Sequence, residues 1–368
     1  MIQILSTKSH QSHAGYGKIF SKNHTDLKSY LNAVCEWIEK ETIRHIPEGE
    51  PKEYLYDLMR DYPQRGGKRF RPALVLLSCE LFGGDPHDAM ISAIAFELFH
   101  NFALIHDDIE DKSLLRRGEP TLHRKYGTAL AINSGDALHC LLHEILLDNY
   151  PRLGSKLALR IHKHMNILMQ YTFEGQALDI GWVVDNKFPN RDEYRNMISK
   201  KTGWYSGKGP CQCGALIAGA PETELDTIGS FGEAIGIGFQ VRDDLLNLIE
   251  ESENEAPRAG SGGYGKERGG DIAEGKRTLI TIELLERLSE QDSVRARDIL
   301  LQSRETVSNT DIDWFIAQAE STGALDAVSK YCYEHVEFAS SALKKLPDNH
   351  ASKLLSEIVN YLTLDRKA

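Results

Sequence analysis

The chain has 368 residues, 41% hydrophobic and 26% charged, with a formal net charge of −11. This balance suits a soluble globular protein, and its acidic sign argues against nucleic acid as the main partner, because neutralising a phosphate backbone calls for a basic surface. No apolar run reaches the roughly 18 residues a membrane span needs, so no stable membrane insertion is expected and a cytoplasmic location is.

Residues 1–23 are polar, with Ser, Lys, His and Gly, and are expected as a flexible N-terminal arm and not a signal peptide. No shift in composition marks a linker, so 24–368 are expected to form a single all-α domain. Apolar residues recur three and four apart through 88–110, 128–148, 155–180, 224–250 and 324–362, whereas strand-like alternation is nearly absent. Asp85-Pro86 supplies a cap and a first-turn proline for the helix over 88–110, and Asn190-Arg191-Asp192-Glu193 resembles a capping box. The stretch 250–275, rich in Gly, Glu and Lys, is expected as a mobile loop that could serve as a lid. The six cysteines are scattered, and Cys211-Gln212-Cys213 has neither zinc nor redox spacing, so they are taken as reduced thiols. His139 and His143 lie four apart with no accompanying motif, which favours a structural role over a metal site.

Two acidic clusters carry the chemistry: Asp107-Asp108-Ile109-Glu110-Asp111 and Asp243-Asp244-Leu245-Leu246-Asn247. Residues four apart share a helical face, so Asp107 and Asp111 can aim at one point, as can Asp243 and Asn247. A solvated face is the alternative. The apolar flanks (Phe99, Phe102, Ala103, Leu104 and Ile105 before the first; Ile235, Ile237, Phe239 and Val241 before the second) weigh against it, because carboxylates there are costly to desolvate unless paired or metal-bound. Oxygen ligands suit Mg²⁺, which takes a few carboxylates together with water and phosphate oxygens, so the pair of clusters implies a Mg²⁺-diphosphate site. Basic segments supply the counter-charge. In Gly66-Gly67-Lys68-Arg69-Phe70-Arg71-Pro72 the proline is expected to start a helix and leave Lys68 and Arg71 in the loop before its anion-favouring N-terminus. Arg116-Arg117-Gly118, Lys200-Lys201-Thr202-Gly203 and Glu274-Gly275-Lys276-Arg277-Thr278 add three more. One such segment alone is a solvated turn; four beside two acidic clusters point to phosphate binding.

The ordered set Gly-Gly-Lys-Arg-x-Arg-Pro, His-Asp-Asp-x-x-Asp followed by Arg-Arg-Gly-x-Pro-Thr-x-His (106–123), Glu174-Gly175-Gln176-x-x-Asp179, Lys201-Thr202-Gly203, Phe239-Gln240-x-x-Asp243-Asp244 and Asp271-Ile272-x-Glu274-Gly275-Lys276 resembles the trans-isoprenyl diphosphate (polyprenyl) synthases over about residues 60–280. The resemblance implies an all-α isoprenoid-synthase type I helical bundle around a deep central cavity, a homodimer, and Mg²⁺ as cofactor, three per site. It also implies a trans-prenyltransferase that condenses isopentenyl diphosphate head to tail with an allylic diphosphate. Carried over by motif, Asp107, Asp111 and Asp243 hold the metal, and Asp108, Asp244 and Asn247 assist. Arg116, Lys201 and Lys276 hold the allylic diphosphate, with Lys266 closing on it; Lys68, Arg71, His100 and Arg117 hold isopentenyl diphosphate. Thr202 and Gln240 place their dipoles near the developing carbocation. Two departures stand out: Asn247 replaces the aspartate of many relatives, and the segment between Asn247 and Lys266 is longer and richer in Gly than in compact relatives.

The growing tail should run along the helix that carries the first cluster, so residues one to two turns before Asp107 form the wall or floor of its pocket. Phe102 and Phe99 fall there. An aromatic at Phe102, a small neighbour at Ala103 and no insertion in Asp-Asp-x-x-Asp resemble one type of geranylgeranyl diphosphate synthase, which implies a twenty-carbon product. Fifteen carbons is the runner-up, because Phe99 could close the pocket early; a longer polyprenyl product is a further alternative. A class I terpene cyclase needs no isopentenyl diphosphate site, an inactive regulatory subunit would have lost the aspartates, and a helical scaffold needs no ordered set of motifs. Both acidic motifs and the basic set Lys68, Arg71 and Arg117 favour chain elongation.

Overall fold

The computed structural model describes residues 19–248 and 268–363. Helix α1 (Leu27–His45) starts at Asp26, whose carboxylate accepts from the Ser29 amide at 2.8 Å. It is followed by α2 (Asp57–Gln64), α3 (Phe70–Leu81) and α4 (Pro86–Glu110), the last capped by Asp85, which accepts from the His87 amide at 2.9 Å. A short antiparallel hairpin, β1 (Leu115–Arg116) and β2 (Glu119–Pro120), pairs Leu115 with Pro120 and Arg116 with Glu119. Then come α5 (Leu122–Tyr126), α6 (Thr128–Leu147) and the long α7 (Tyr150–Val184). Helix α8 (Arg191–Ile198) opens on a complete Asn190–Glu193 capping box and runs through widened π-helical turns (Ser199–Lys208) into α9 (Gly209–Ile217). The remainder is α10 (Glu222–Leu246), α11 (Gly270–Ala273), α12 (Leu279–Leu285), α13 (Glu290–Leu300), α14 (Asn309–Ser321), α15 (Ala324–Leu343) and α16 (His350–Thr363). The fold is therefore the all-α one expected.

Two helices act as axes. Helix α4 packs on α3 and α6 inside the larger core, with Leu74, Phe96, Phe99, Leu142 and Leu355 fully enclosed. Among the described residues it is the one helix long and apolar enough to cross a membrane, and most of that apolar stretch is buried in the protein, as a helix apolar all round requires. Helix α10 packs on α15, α9 and the widened turns, and its last turns enter a second core with Ile280, Phe315 and Val328. The contact with the widened turns is backbone on backbone: a Cβ on Gly207 would fall 1.8 Å from the Gly232 carbonyl oxygen. This approach fixes the segment that carries Lys201 and Thr202.

Several elements differ from expectation. The apolar period through 324–362 spans two helices, α15 and α16, because the period stays in step across a polar break. There the Asn349 amide donates to Ser352 Oγ (3.0 Å), the Ser352 amide to Asn349 Oδ1 (3.2 Å), and Asn349 Nδ2 to the Leu81 carbonyl (2.9 Å). Helix α7 is longer than 155–180 and breaks at Gly154, where φ is +75°. Helix α3 begins at Phe70, so Arg71 lies in its first turn and not in the loop before it. Of the loop expected over 250–275, residues 250–267 lie outside the described residues, whereas 270–273 form α11. Of the arm expected over 1–23, residues 1–18 lie outside the described residues. The end of that arm is packed: Ile19 is fully buried, and the Ser21 amide donates to Glu80 at 2.9 Å. All six cysteines are free thiols, as taken.

Because nothing at the Gly207–Gly232 contact can give way except backbone, Gly207→Ala should destabilise the protein by at least the roughly 1–3 kcal/mol typical of overpacking. Urea unfolding of the variant should show a lowered midpoint; an unchanged midpoint would mean that the two segments can separate freely.

Candidate active site

The two acidic clusters end their helices. Asp107 and Asp108 lie in the last turn of α4 and Asp111 is its C-cap; Asp243 and Asp244 lie in the last turn of α10 and Asn247 is its C-cap. Helix C-termini carry partial negative charge and favour cations, yet neither last turn contains a basic residue. The cations come from elsewhere in the chain. Lys276, in the turn after α11, stands 2.7 Å from Asp111, 3.1 Å from Glu274 and 3.6 Å from Asp271. Lys201 stands 2.5 Å from Asp179 and 3.8 Å from Asp107. Burial opposes charge on both lysines, but these carboxylates outweigh it and hold the ammonium groups above their ordinary pKa.

A cavity of about 540 Å³ lies between the helix ends. Of the residues singled out by sequence, Asp107, Asp243, Asp244, Lys201, Thr202, Gln240, Lys276 and Arg116 line it, and so do Lys68, Arg71, His100 and Arg117. Phe102 and Ala103 line it as well; Phe99 does not, being fully buried behind Phe102 with ring centroids 5.7 Å apart. Lys266 lies outside the described residues. Asp108, Asp111 and Asn247 do not line the cavity. Asp111 reaches it through Lys276. Asn247 pins the turn that leads to α11, its Oδ1 accepting from the Asp271 amide at 3.0 Å and its carbonyl from the Gly269 amide at 2.7 Å.

Asp108 is fully buried below the cavity wall. The Tyr62 hydroxyl donates to its Oδ2 at 2.6 Å, and Arg116 Nε donates to both of its oxygens at 3.1 Å. Its carboxylate therefore ties the hairpin to α4, with Arg116 also 3.7 Å from Asp107. Arg65 holds the same hairpin from the other side, donating to the carbonyls of Arg116 (3.0 Å) and Pro120 (2.9 Å).

The remaining cations line the same cavity with different partners. Arg71 donates to Tyr205 Oη (2.9 Å) and Ser206 Oγ (2.7 Å), Lys68 lies 4.7 Å from the Tyr361 ring centroid, and Arg117 donates to the Tyr62 carbonyl (3.1 Å). Burial, with Arg69 nearby, lowers the Arg117 pKa to about 10. His100 is held well below the ordinary imidazole value by burial and by Arg71 and Arg117, and its buried Nδ1 has no hydrogen-bond partner. A neutral imidazole with an unused ring nitrogen among three cations is ready to meet an anion. Beneath them the buried Arg69 is paired with Glu97, which also accepts from Asn101 Nδ2 at 2.9 Å.

The donor set suits a hard divalent cation. All candidate ligands offer oxygen, and burial together with Asp271 and Asp243 raises the Asp244 pKa, a repulsion that a cation would relieve. Among the described residues no three His, Cys, Asp or Glu side chains converge tightly enough to hold a metal by themselves. Mg²⁺ fits such a half-cage, since it usually keeps waters and takes substrate phosphate oxygens.

Sequence reasoning missed some of these residues. Asp179 and Gln176 stand in a quoted motif but were given no role; Gln176 Nε2 donates to Asp107 Oδ1 at 3.3 Å and to Glu110 at 2.5 Å. The glycine of that motif explains its position: a Cβ on Gly175 would fall 2.3 Å from the Lys201 amide nitrogen, so α7 touches the lysine's backbone. Tyr62, Arg65 and Glu97 were given no role because the partners that tie them to the site, Asp108, the Pro120 carbonyl and Arg69, are 46, 55 and 28 residues away.

Known proteins resemble the chain over most of its length. A family model described as polyprenyl synthetase matches residues 52–317. The chain is 36% identical over 297 residues to a short chain isoprenyl diphosphate synthase of Methanothermobacter thermautotrophicus, covering 81% of this chain and 86% of the relative. It is 34% identical over 322 residues to a geranylgeranyl diphosphate synthase of Methanosarcina mazei, covering 86% and 91%. The crystal structure of geranylgeranyl pyrophosphate synthetase from Pyrococcus horikoshii superposes with a TM-score of 0.80 at 32% identity, over 92% of this chain and 98% of that one.

The burial of Asp108 separates it from its neighbour. Asp108→Ala would leave Arg116 short of its main partner and should cost roughly 3 kcal/mol, the low end for breaking a buried pair because Asp107 is within reach. Asp107→Ala should cost under about 1 kcal/mol. Denaturant midpoints of the two variants check the contrast, and equal losses would show that Asp108 does not anchor the hairpin.

Proposed function

We propose, from the premise that the chain belongs to the polyprenyl synthetase family and is a trans-prenyltransferase, that it condenses isopentenyl diphosphate head to tail with an allylic diphosphate and releases a twenty-carbon product. The observation that carries this reading is one cavity lined by two kinds of cation: Arg116, Lys201 and Lys276 are paired with aspartates, whereas Lys68, Arg71 and Arg117 have ring, hydroxyl and carbonyl partners. Two diphosphates need two such sets. A terpene cyclase on the same fold needs only the first, so the set Lys68, Arg71, His100 and Arg117 supports elongation.

In the proposed site Asp107, Asp111, Asp243 and Asp244 hold Mg²⁺, while Asp108 and Asn247 position Arg116 and the turn before α11. Bound Mg²⁺ neutralises charge on the leaving diphosphate. Lys201, Lys276 and Arg116 grip the same diphosphate as the allylic carbon–oxygen bond breaks. The second cationic set holds isopentenyl diphosphate so that its terminal alkene carbon faces the allylic carbon, where the new carbon–carbon bond forms. Gln240 Nε2 donates to Asp244 at 2.9 Å and the Thr202 hydroxyl to Gln240 Oε1 at 3.4 Å, which holds the two side chains together; in this reading their dipoles stabilise the developing positive charge. The released diphosphate takes the proton lost from isopentenyl C2. Family resemblance supports a cytoplasmic homodimer with three Mg²⁺ per site as the working form; sedimentation and metal titration with substrate bound test both numbers.

Product length follows from the apolar end. Phe102 and Ala103 line the cavity whereas Phe99 stands behind Phe102, so the first of these is the proposed floor and the fifteen-carbon alternative loses its proposed stopper.

Chelation with EDTA should abolish turnover, and Asp107→Ala and Asp243→Ala should each lower it by orders of magnitude with circular dichroism unchanged, because each removes a metal ligand and not a core contact. Near-normal rates in folded variants would sink the assignment. Phe102→Ala should lengthen the product by one or more five-carbon units, read by mass. A role in packing alone would instead cost roughly 3–5 kcal/mol and leave the product unchanged.

A further inference from the structure

The widened turns between α8 and α9 are ten residues of π-helix, Ser199–Lys208, that run on from α8 into α9. π-Helix is rare and usually lasts a single turn, so a stretch of this length needs support from outside itself. It also serves both sets of cations. Lys201 and Thr202 line the cavity from its first half, and in its second half Tyr205 Oη and Ser206 Oγ accept from Arg71 at 2.9 and 2.7 Å. One side chain of α10 takes both ends of the segment. The hydroxyl of Ser199, its first residue, donates to Glu233 Oε1, and Nζ of Lys208, its last, stands 3.0 Å from Glu233 Oε2. The stem of Glu233 meets the middle: a Cβ on Gly203 would fall 3.3 Å from its Cγ.

We propose that Glu233 is a positioning residue for the condensation: its carboxylate clamps both ends of the widened turns and so sets the register in which Lys201 and Thr202 face the allylic diphosphate while Tyr205 and Ser206 hold Arg71 for isopentenyl diphosphate. This rests on the elongation reading above and adds to it a residue that touches neither substrate.

Three observations support the assignment. The two contacts use different oxygens of one carboxylate, so together they fix the span of the segment, and the loss of either frees one end. The Lys208 ammonium is aimed from within the segment by Trp204, whose ring centroid is 4.3 Å away and which packs in turn on Tyr171 of α7 at 4.3 Å between centroids. Glu233 shares a face of α10 with Gly236 and Gln240, three and seven residues further on. A Cβ on Gly236 would fall 3.0 Å from Gly203 Cα, and Gln240 accepts from the Thr202 hydroxyl. One stripe of α10 therefore holds the ends of the segment by charge, its centre by backbone approach and Thr202 by a hydrogen bond. Relaxing the widened turns to α-helix would change the rotation per residue and turn Lys201 and Thr202 relative to Tyr205 and Ser206, so a released end is felt at both diphosphates.

The test is steady-state kinetics with purified full-length enzyme, isopentenyl diphosphate, a fifteen-carbon allylic primer and Mg²⁺, at a temperature where circular dichroism shows every variant folded. Glu233→Gln keeps the size of the side chain but not the charge, and should lower kcat about tenfold or more and raise KM for both substrates, since misplacement by a fraction of an ångström already costs rate. Ser199→Ala and Lys208→Met should each give part of that loss. In the Ser199→Ala/Lys208→Met background, adding Glu233→Gln should change kcat by less than about twofold, because both of its partners are gone. A folded Glu233→Gln enzyme with wild-type kcat and KM overturns the proposal, even if its denaturation midpoint is lowered, because that is the mark of a purely structural contact. A loss of equal size in the background without both partners overturns it too. Should Glu233→Gln not fold, the Ser199→Ala/Lys208→Met pair removes the same clamp from the other side, and wild-type kinetics there are equally fatal. A wild-type enzyme that consumes no isopentenyl diphosphate overturns the elongation reading itself and is told apart by its lack of any product.

Discussion

The constraint on which the rest of the site depends is the placement of carboxylates at the negative ends of two core helices. Neither burial nor the helix dipole favours charge there, and the two effects act in the same direction on Asp107 and Asp111 and on Asp243 and Asp244. The structure answers by bringing lysines from distant segments, Lys201 from the widened turns and Lys276 from the turn after α11. Such an arrangement is compact but strained in charge. It gains most from a ligand that carries its own divalent cations, and the phosphate oxygens of that ligand then satisfy the lysines. The geometry that is costly when empty is the geometry that binds a metal–diphosphate complex.

A lower tier of polar residues makes this possible. Asp108 is held by Tyr62 and Arg116, Glu97 by Arg69 and Asn101, and the hairpin is clamped by Arg65. None of these needs to touch substrate. Each removes a degree of freedom from a residue that does: Arg116 and Arg117 sit on the hairpin, and Lys68 and Arg71 flank Arg69. A guanidinium that is aimed before the ligand arrives loses less conformational entropy on binding, so the buried pairs act on affinity through positioning.

Much of this was legible in the sequence, and the failures have physical reasons. The acidic clusters could be read because helical spacing is local and their apolar flanks are anomalous for a surface. Asp108 and Asn247 could not be told from true cavity residues, because one residue of offset on a helix turns a side chain by about 100° and sequence does not reveal which face meets the cavity. Tyr62 and Glu97 were invisible for a different reason, since the signal lies in a partner tens of residues away. The break between α15 and α16 was missed because the apolar period continues in step across it, and only the paired Asn349 and Ser352 mark the stop. Gly175 and Gly207 look like ordinary helix-weakening glycines in sequence; in the fold each is where two backbones touch.

The division of the cavity into a charged end and an aromatic end gives the proposed enzyme its means of counting. Each condensation leaves the product with a diphosphate that must return to the same aspartates and lysines before another unit is added, so the charged end is a fixed origin. The hydrocarbon tail then grows away from that origin by a constant increment, and the reaction stops when the next increment meets a wall. Because apolar burial is non-directional and roughly proportional to area, the wall cannot select one length by attraction; every added unit is favourable as long as there is room. Length must therefore be set by exclusion, through rings that cannot be displaced cheaply. Packed side chains behave in this way because interiors are dense and overpacking is costly. Phe102 has that support, with Phe99 directly behind it.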